Sequence, residues 1–292
     1  MSELQLERVP RCYLCASEGK YVHEGMTDFM GNVAGEWALR RCVNEACRLM
    51  WLDPRLTHSA VNKAYVRYYT HRDSDEAARS TLQRAYSWLS AGYLYENYGY
   101  DSAQISRFQK IVGNLIRLVP AQKANLEFSV MYLPSKQHGT LLEIGCGSGR
   151  MLREMQKLGW TVEGTDLDPQ AVSNAVKKEL KVKLGDLHPG QYAEASFDAI
   201  TTSHVIEHVY DPRALLQECY KILKPGGCLV VVTPNTESLG HRLYGKHWRG
   251  LEPPRHIHLF SVESLTRLGR EVGFDIVSAR TTIRGAHWAY RD

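Results

Sequence analysis

Residues 141–149 read Leu-Leu-Glu-Ile-Gly-Cys-Gly-Ser-Gly, and this stretch decides the fold. Its apolar first half predicts a strand, and the amphipathic segment that follows it predicts a helix. The glycines between them (Gly145, Gly147 and Gly149) allow a turn in which the backbone approaches a ligand closely. The unpaired N–H groups at the start of a helix then face that ligand. A strand, a glycine turn and a helix in this order indicate the nucleotide-binding crevice of an α/β protein.

Short apolar runs alternate with amphipathic segments from Thr140 onward, which predicts a parallel sheet covered by helices. Asp168 and Asp211 each precede a proline and are predicted to cap helices, as are Ser102 before the sheet and Ser261 late in the chain. The predicted strands are residues 140–145, 161–165, 182–184, 197–202, 228–233 and 274–282, with room for a seventh only at 286–290.

Two acidic residues stand where the second and third predicted strands end, Asp166 and Asp186. A carboxylate at the first position can bind ribose hydroxyls, which also suits a nicotinamide dinucleotide. The glycine spacing G-x-G-x-G departs from the dinucleotide spacing G-x-G-x-x-G, and an acid at Asp186 can bind the amine of adenine. This combination resembles the S-adenosylmethionine (SAM) site of class I methyltransferases over residues 140–280. The resemblance implies these cofactor-binding residues: Glu143, Gly145, Cys146, Gly147, Gly149, Asp166, Leu167, Asp186, Leu187, Ser203 and His204.

The segment Ser203-His-Val-Ile-Glu-His208 follows the fourth strand, so we expect it beside the methyl donor, beyond the carboxyl ends of the strands. It resembles the H/E-x-x-E-H segment of small-molecule methyltransferases related to ubiquinone-biosynthesis O-methyltransferases. Some of these relatives hold a divalent metal there, but His204 replaces a glutamate and Mg²⁺ prefers oxygen ligands. The use of a metal stays open, and His256 or His258 is the candidate general base. The candidate catalytic residues are His204, Glu207, His208, His256 and His258.

The seven cysteines include two close pairs near the N-terminus: Cys12 with Cys15, and Cys42 with Cys47. Four thiolates can close a tetrahedral zinc site that stabilises a small module without an open position for catalysis. Free buried thiols, a redox pair, or His23 in place of one cysteine are the alternatives. The other cysteines, Cys146, Cys219 and Cys228, lie in apolar segments and are expected to be buried.

Differences in composition and hydrophobic pattern divide the chain into a zinc-ribbon-like module (1–58), a helical linker or lid (59–137) and a SAM-binding domain (138–292). Tyrosines are frequent in the middle part, where they either pack between helices or line a lid over a substrate pocket. The ribbon, the linker residues Pro54, Tyr65, Tyr68 and Tyr69, and the SAM domain together resemble bacterial methyltransferases of natural-product, sugar and polysaccharide pathways. This resemblance implies O-methylation of a small molecule or glycan.

The 292 residues are 43% hydrophobic and 23% charged, which is typical of a globular protein. The net charge is +4 and no long basic run is present, which argues against a nucleic-acid partner. An RNA methyltransferase and a nicotinamide-dependent oxidoreductase stay as alternatives. The charged N-terminus and short apolar runs predict no signal peptide, no membrane span and a cytoplasmic location. The oligomeric state is not predicted.

Overall fold

The computed structural model describes residues 4–65, 81–100, 105–136 and 139–283. The strands are β1 (Leu6–Glu7), β2 (Gly19–Met26), β3 (Trp37–Cys42), β4 (Met50–Leu52), β5 (Arg55–Leu56), β6 (Thr140–Ile144), β7 (Thr161–Asp166), β8 (Val182–Leu184), β9 (Phe197–Ser203), β10 (Leu223–Val232) and β11 (His258–Leu259). The α-helices are α1 (Thr81–Tyr98), α2 (Arg107–Gly113), α3 (Pro120–Ser129), α4 (Arg150–Lys157), α5 (Pro169–Lys177), α6 (Pro212–Ile222), α7 (Leu239–Tyr244) and α8 (Val262–Val272). Short 3₁₀ helices cover Val61–Tyr65, Asn114–Leu118, Gly245–His247 and Arg249–Leu251.

The central sheet is parallel and has the strand order β10-β9-β6-β7-β8, which confirms the predicted α/β class with a Rossmann-like sheet. Successive residues of β6 enter different cores, because side chains alternate across a strand. Leu142 packs on the side that carries α6 and α8. Leu141 packs on the side that carries α4 and α5. Both faces of the sheet are therefore covered.

The predicted helix caps of the sheet region are confirmed. The carboxylates of Asp168 and Asp211 accept from the N–H groups of Gln170 and Ala214, each at 2.9 Å. Ser261 caps α8 in the same way, through the N–H of Ser264 at 3.1 Å. Ser102 lies outside the described residues, and α2 begins after another serine, Ser106.

Three expectations about this region are wrong. Residues 274–283 form no strand, since residues 277–281 are all exposed and lack the buried face that holds a strand in a sheet. β10 is consequently an edge strand of the described sheet, and Cys228 on it is exposed rather than buried. The spacing of Leu126, Val130 and Leu133 predicts a helix that continues to Leu133, but α3 ends at Ser129, because the chain turns through positive φ angles at Met131 and Tyr132. The seventh strand position, 286–290, lies outside the described residues.

The N-terminal part forms an antiparallel sheet with the order β11-β4-β3-β2. Its fourth strand, β11, comes from the far end of the chain, where His258 pairs with Trp51 and Leu259 with Met50. A separate core of mainly apolar side chains fills one side of this sheet, with Trp37 and Leu39 almost fully buried. The division at residues 58 and 137 stays a prediction.

The helical region packs against the central sheet. The indole of Trp160, directly before β7, donates to the hydroxyl of Tyr100 at 3.1 Å, and Tyr93 donates to Glu127 at 3.0 Å. These contacts support the packing role of the tyrosines. Tyr68 and Tyr69 lie outside the described residues, and the lid stays a prediction. None of the described helices combines the length and the apolar character that a membrane crossing requires.

Candidate functional site

The glycine turn lies at the point where the sheet reverses its strand order. Chain order runs from β6 outward through β7 to β8, and then returns to β9 on the other side of β6. The loops that follow β6 and β9 therefore diverge and leave a crevice beyond the carboxyl ends of these strands. The turn and the His204 segment, predicted to lie together, both open into this crevice.

The three glycines of the turn have different surroundings. All have left-handed φ angles: +72° at Gly145, +55° at Gly147 and +77° at Gly149. A Cβ on Gly145 would lie 2.3 Å from Val205 Cγ2, and one on Gly149 would lie 2.3 Å from Leu180 Cδ1. A Cβ on Gly147 would meet nothing within 4 Å. Gly145 and Gly149 are therefore needed for packing, whereas Gly147 borders open space that a ligand can fill.

Asp166 is buried beneath the turn and holds it in shape. One carboxylate oxygen accepts from the N–H of Gly147 at 2.7 Å, and the other accepts from the N–H of Asp168 at 2.9 Å. Neighbouring Glu143 is fully enclosed, and its Oε2 has no hydrogen-bond partner. Burial, and then the charge of Asp166, raise the pKa of Glu143 to about 8. A buried carboxyl oxygen without a partner, two residues before the glycine turn, fits a site that receives a hydrogen-bond donor.

The other predicted cofactor residues line the crevice less closely. Asp186 is exposed at the end of β8, and Leu187 next to it is half-buried. Leu167 is 66% exposed, so it offers an apolar surface next to Asp166. Cys146 is buried and packs in the core with Leu152, so its side chain does not face the crevice.

His204 stands directly after β9 in a left-handed conformation, with φ at +58°. Its side chain is 51% exposed, and its Nδ1 lies 3.2 Å from Oε1 of the fully buried Glu207. Thr233 donates to the other oxygen of Glu207 at 2.9 Å. Burial alone would raise the pKa of Glu207, but the hydrogen bond and charge of His204, followed by the charges of nearby histidines, lower it to about 2. Glu207 is therefore an ionised carboxylate at neutral pH.

Of the remaining histidines of the prediction, His256 and His258 are buried and His208 is half-buried. Their Nδ1 atoms face backbone carbonyls, and that of His208 also lies 3.0 Å from the Tyr65 hydroxyl. Nδ1 lies 3.1 Å from the Arg255 carbonyl in His208, 2.8 Å from that of Gly250 in His256 and 3.1 Å from that of Val209 in His258. This arrangement places the proton on Nδ1 and the lone pair on Nε2. Burial lowers the pKa of His208 and of His258 to about 4, so both are neutral near pH 7.

Glu207, His208 and His256 come together. One potential ligand atom from each lies within 4.8 Å of the others, and His256 Nε2 is 3.9 Å from Glu207 Oε1. His258 is part of β11 and contacts Tyr13 through its ring instead.

Two further side chains belong to the site or its surroundings and were not predicted: Thr233 and Arg255. A polar residue directly after an apolar strand was the available signal for Thr233. Arg255 is fully buried, where its guanidinium donates to Asp28 at 2.8 Å and to Glu252 at 3.0 Å. No local pattern identifies Asp28 as its partner, because the two residues are far apart in sequence.

The four N-terminal cysteines gather as predicted. Cys12 Sγ lies 3.6 Å from Cys47 Sγ, and Cys15 Sγ lies 3.4 Å from Cys42 Sγ. All four sulfurs are within 4.8 Å of one another. Sulfurs around tetrahedral zinc are separated by about 3.8 Å, given bonds of about 2.3 Å. His23 is not part of the group, because its Nε2 lies 2.8 Å from that of His241.

A methyltransferase domain family matches residues 107–279, which is more than half of the chain. The chain belongs to this methyltransferase family. The match includes the glycine turn, Asp166, Asp186 and the histidine segment, but not the cysteine cluster. Membership favours the methyl-donor interpretation of the crevice over the nicotinamide alternative.

Relatives of the methyltransferase include ubiquinone biosynthesis O-methyltransferases. That of Cereibacter sphaeroides is 32% identical over 152 residues, covering 48% of this chain and 62% of the relative. That of Xanthomonas oryzae is 36% identical over 104 residues, covering 32% of this chain and 43% of the relative. The chain thus matches less than two thirds of the length of either relative. A SAM-dependent methyltransferase from Thermotoga maritima, described as a possible histamine N-methyltransferase, is 29% identical with a TM-score of 0.45, over 58% of this chain and 80% of that one.

Proposed function

We propose that this methyltransferase transfers a methyl group from SAM to a hydroxyl group of a small molecule or glycan. The observation that carries the proposal is the pair His204 and Glu207 at the same edge of the sheet as the glycine turn. A half-exposed imidazole hydrogen-bonded to a buried, ionised carboxylate is the arrangement that a general base requires.

The residues of the turn fit the cofactor. The open space at Gly147 would take the amino-acid end of SAM, and Glu143, whose Oε2 has no partner, would accept a hydrogen bond from that end. Asp166 and Asp186 are assigned to the ribose and the adenine. When bound, SAM supplies a methyl group activated by its positively charged sulfur. The chain itself contributes alignment of the acceptor and removal of its proton.

His204 is assigned as the base because it is the accessible histidine of the set. His256 and His258, the earlier candidates, are only 3% and 1% exposed. His204 Nδ1 lies against Glu207, and we assign the other ring nitrogen, Nε2, to take the proton of an acceptor hydroxyl. The negative charge of Glu207 then stabilises the imidazolium that forms. His256 and His208 are assigned to positioning Glu207.

The names of the relatives support a small-molecule acceptor with a hydroxyl group. We therefore expect catechol-like and sugar hydroxyls to be methylated in preference to RNA. Formation of S-adenosylhomocysteine should be measured with catechols, sugars and short RNAs as acceptors. Titration with S-adenosylhomocysteine and with NAD⁺ tests the cofactor: NAD⁺ binding without S-adenosylhomocysteine binding would refute the proposal.

Replacing His204 tests the base. We expect His204→Ala to slow turnover by about 10²–10⁴-fold while its affinity for S-adenosylhomocysteine stays within about twofold. His188→Ala removes an exposed histidine that is not among the candidate catalytic residues, so it is the control and should keep wild-type turnover. Turnover of His204→Ala equal to that of the control would return the role to His256 or His258.

We further propose that the four cysteines bind one structural zinc ion. Their separations fit tetrahedral thiolate coordination, and Cys12, Cys42 and Cys47 belong to the same core as α6 and α8. Zinc would therefore stabilise the packing of this module against the central sheet. Metal analysis of protein purified without chelators should find about one zinc per chain. Its absence from such protein would contradict the assignment.

A further inference from the structure

The helical region carries a stripe of apolar side chains that faces solvent. Phe108, Ile111, Leu115 and Leu118 lie on α2 and the 3₁₀ helix after it, and they are between 57% and 76% exposed. Their spacing of three or four residues places them on one side of the helical segment. Trp88 of α1 extends the stripe, with its ring 6.2 Å from that of Phe108. Large apolar side chains exposed together mark a contact surface.

A shallow apolar cavity opens beside this stripe. Its volume is about 270 Å³, and residues of α1, α2, the 3₁₀ helix and α3 line it. The lining residues are Tyr86, Leu89, Val112, Leu115, Ile116, Val119 and Gln122. A cavity of this lining has room for an apolar group such as part of an acyl chain.

The segment that carries the stripe is cationic, and Glu127 directly after it lies 3.9 Å from Lys123. Residues 105–126 contain four cationic side chains and no acidic one: Arg107, Lys110, Arg117 and Lys123. Arg107 and Arg117 are exposed. Apolar and cationic side chains side by side on a surface helix are the composition that interfacial helices use on anionic lipid.

We propose that this face, residues 105–123 with Trp88, docks on the surface of an anionic lipid bilayer. The apolar stripe would enter the boundary between headgroups and acyl chains, and the cations would contact lipid phosphates. A second copy of the chain fits less well, because a twofold interface brings the same cations face to face. The proposal does not depend on the proposed function.

Vesicle sedimentation of the full chain tests the proposal. Vesicles of phosphatidylcholine alone are compared with vesicles in which roughly a third of the lipid is phosphatidylglycerol. We expect binding to the anionic vesicles that weakens at about 0.5 M NaCl, where screening is strong. Ile111→Ser with Leu118→Ser should lower the partition coefficient at least about tenfold, as expected for withdrawing two aliphatic side chains from lipid. The double variant Arg107→Gln and Arg117→Gln should bind anionic vesicles more weakly than the wild type does, but its binding to phosphatidylcholine vesicles should not change.

Val277→Ser is the matched control, since Val277 is 97% exposed and lies outside the face. It should bind vesicles like the wild type, and circular dichroism should show the same helix content for every variant. Equal sedimentation of the Ile111 and Leu118 double variant and the control would overturn the proposal. So would a wild-type dimer, seen by light scattering, that the same double variant converts to monomers, because the face would then belong to a second copy.

Discussion

The three glycines of the turn should respond differently to alanine, and this difference tests the cofactor assignment. A side chain in the left-handed region costs about 1–2 kcal/mol at each position. At Gly149 the new Cβ would also lie 2.3 Å from Leu180 Cδ1, well inside the 3.5–4.0 Å of a normal carbon contact. Overpacking of this kind adds about 1–3 kcal/mol. Gly149→Ala should therefore lose about 2–5 kcal/mol of unfolding free energy.

Gly147→Ala should lose only about 1–2 kcal/mol of unfolding free energy, because its Cβ meets nothing within 4 Å. Its methyl group would instead occupy the space assigned to SAM. We expect its affinity for S-adenosylhomocysteine to fall more than about tenfold, which corresponds to about 1.4 kcal/mol. Urea unfolding and calorimetric titration measure the two effects separately.

Gly190→Ala provides the matched control. Gly190 has a φ angle of +78° and the same open surroundings, but it belongs to a loop outside the turn. The two variants should have similar stability and different affinities. If Gly147→Ala binds S-adenosylhomocysteine as tightly as Gly190→Ala does, the open space at Gly147 is not the cofactor site.

Three further predictions concern ionisable side chains. Asp198→Asn removes the partner of two lysines, bonded at 2.7 and 2.8 Å, and should cost about 1–3 kcal/mol in urea unfolding at pH 7; an unchanged midpoint would contradict this. Burial lowers the pKa of His258 to about 4, below about 6.5 in the unfolded chain, so the unfolded chain takes up the proton first. Stability should fall as the pH drops from about 6.5 to 4, by up to about 3 kcal/mol, and less in His258→Gln. Arg255→Met leaves Asp28 buried without its partner and should cost about 3–5 kcal/mol in thermal unfolding, a loss that Arg255→Lys should not fully restore.

The central sheet could be predicted from the sequence because its signals are local. Apolar runs gave the strands, and the residues before Pro169 and Pro212 gave the caps. The expected strand at residues 274–282 failed because such a run needs a partner and a buried face, and both depend on tertiary packing. The two-residue strand β11 is too short to produce a pattern, so its pairing with β4 could not be foreseen.

The residues that belong to the site could be predicted from the sequence, but their arrangement in space could not. The motif placed His204 and Glu207 in one loop, but only the fold shows that they contact each other and that Glu207 is enclosed. Sequence gives no burial for individual histidines, which is why His256 and His258 ranked above His204 as bases. Those assignments stay predictions until turnover is measured.

The pairing of β11 with β4 connects the N-terminal sheet to the loop that carries His204 and Glu207. The carbonyl of Glu207 accepts from the N–H groups of both Ile257 and His258, and His258 belongs to the strand that completes the N-terminal sheet. A chimera that imports another metal-binding module would therefore have to import a compatible partner strand as well. Swapping of N-terminal parts between related enzymes is thus constrained by a ladder of two residues.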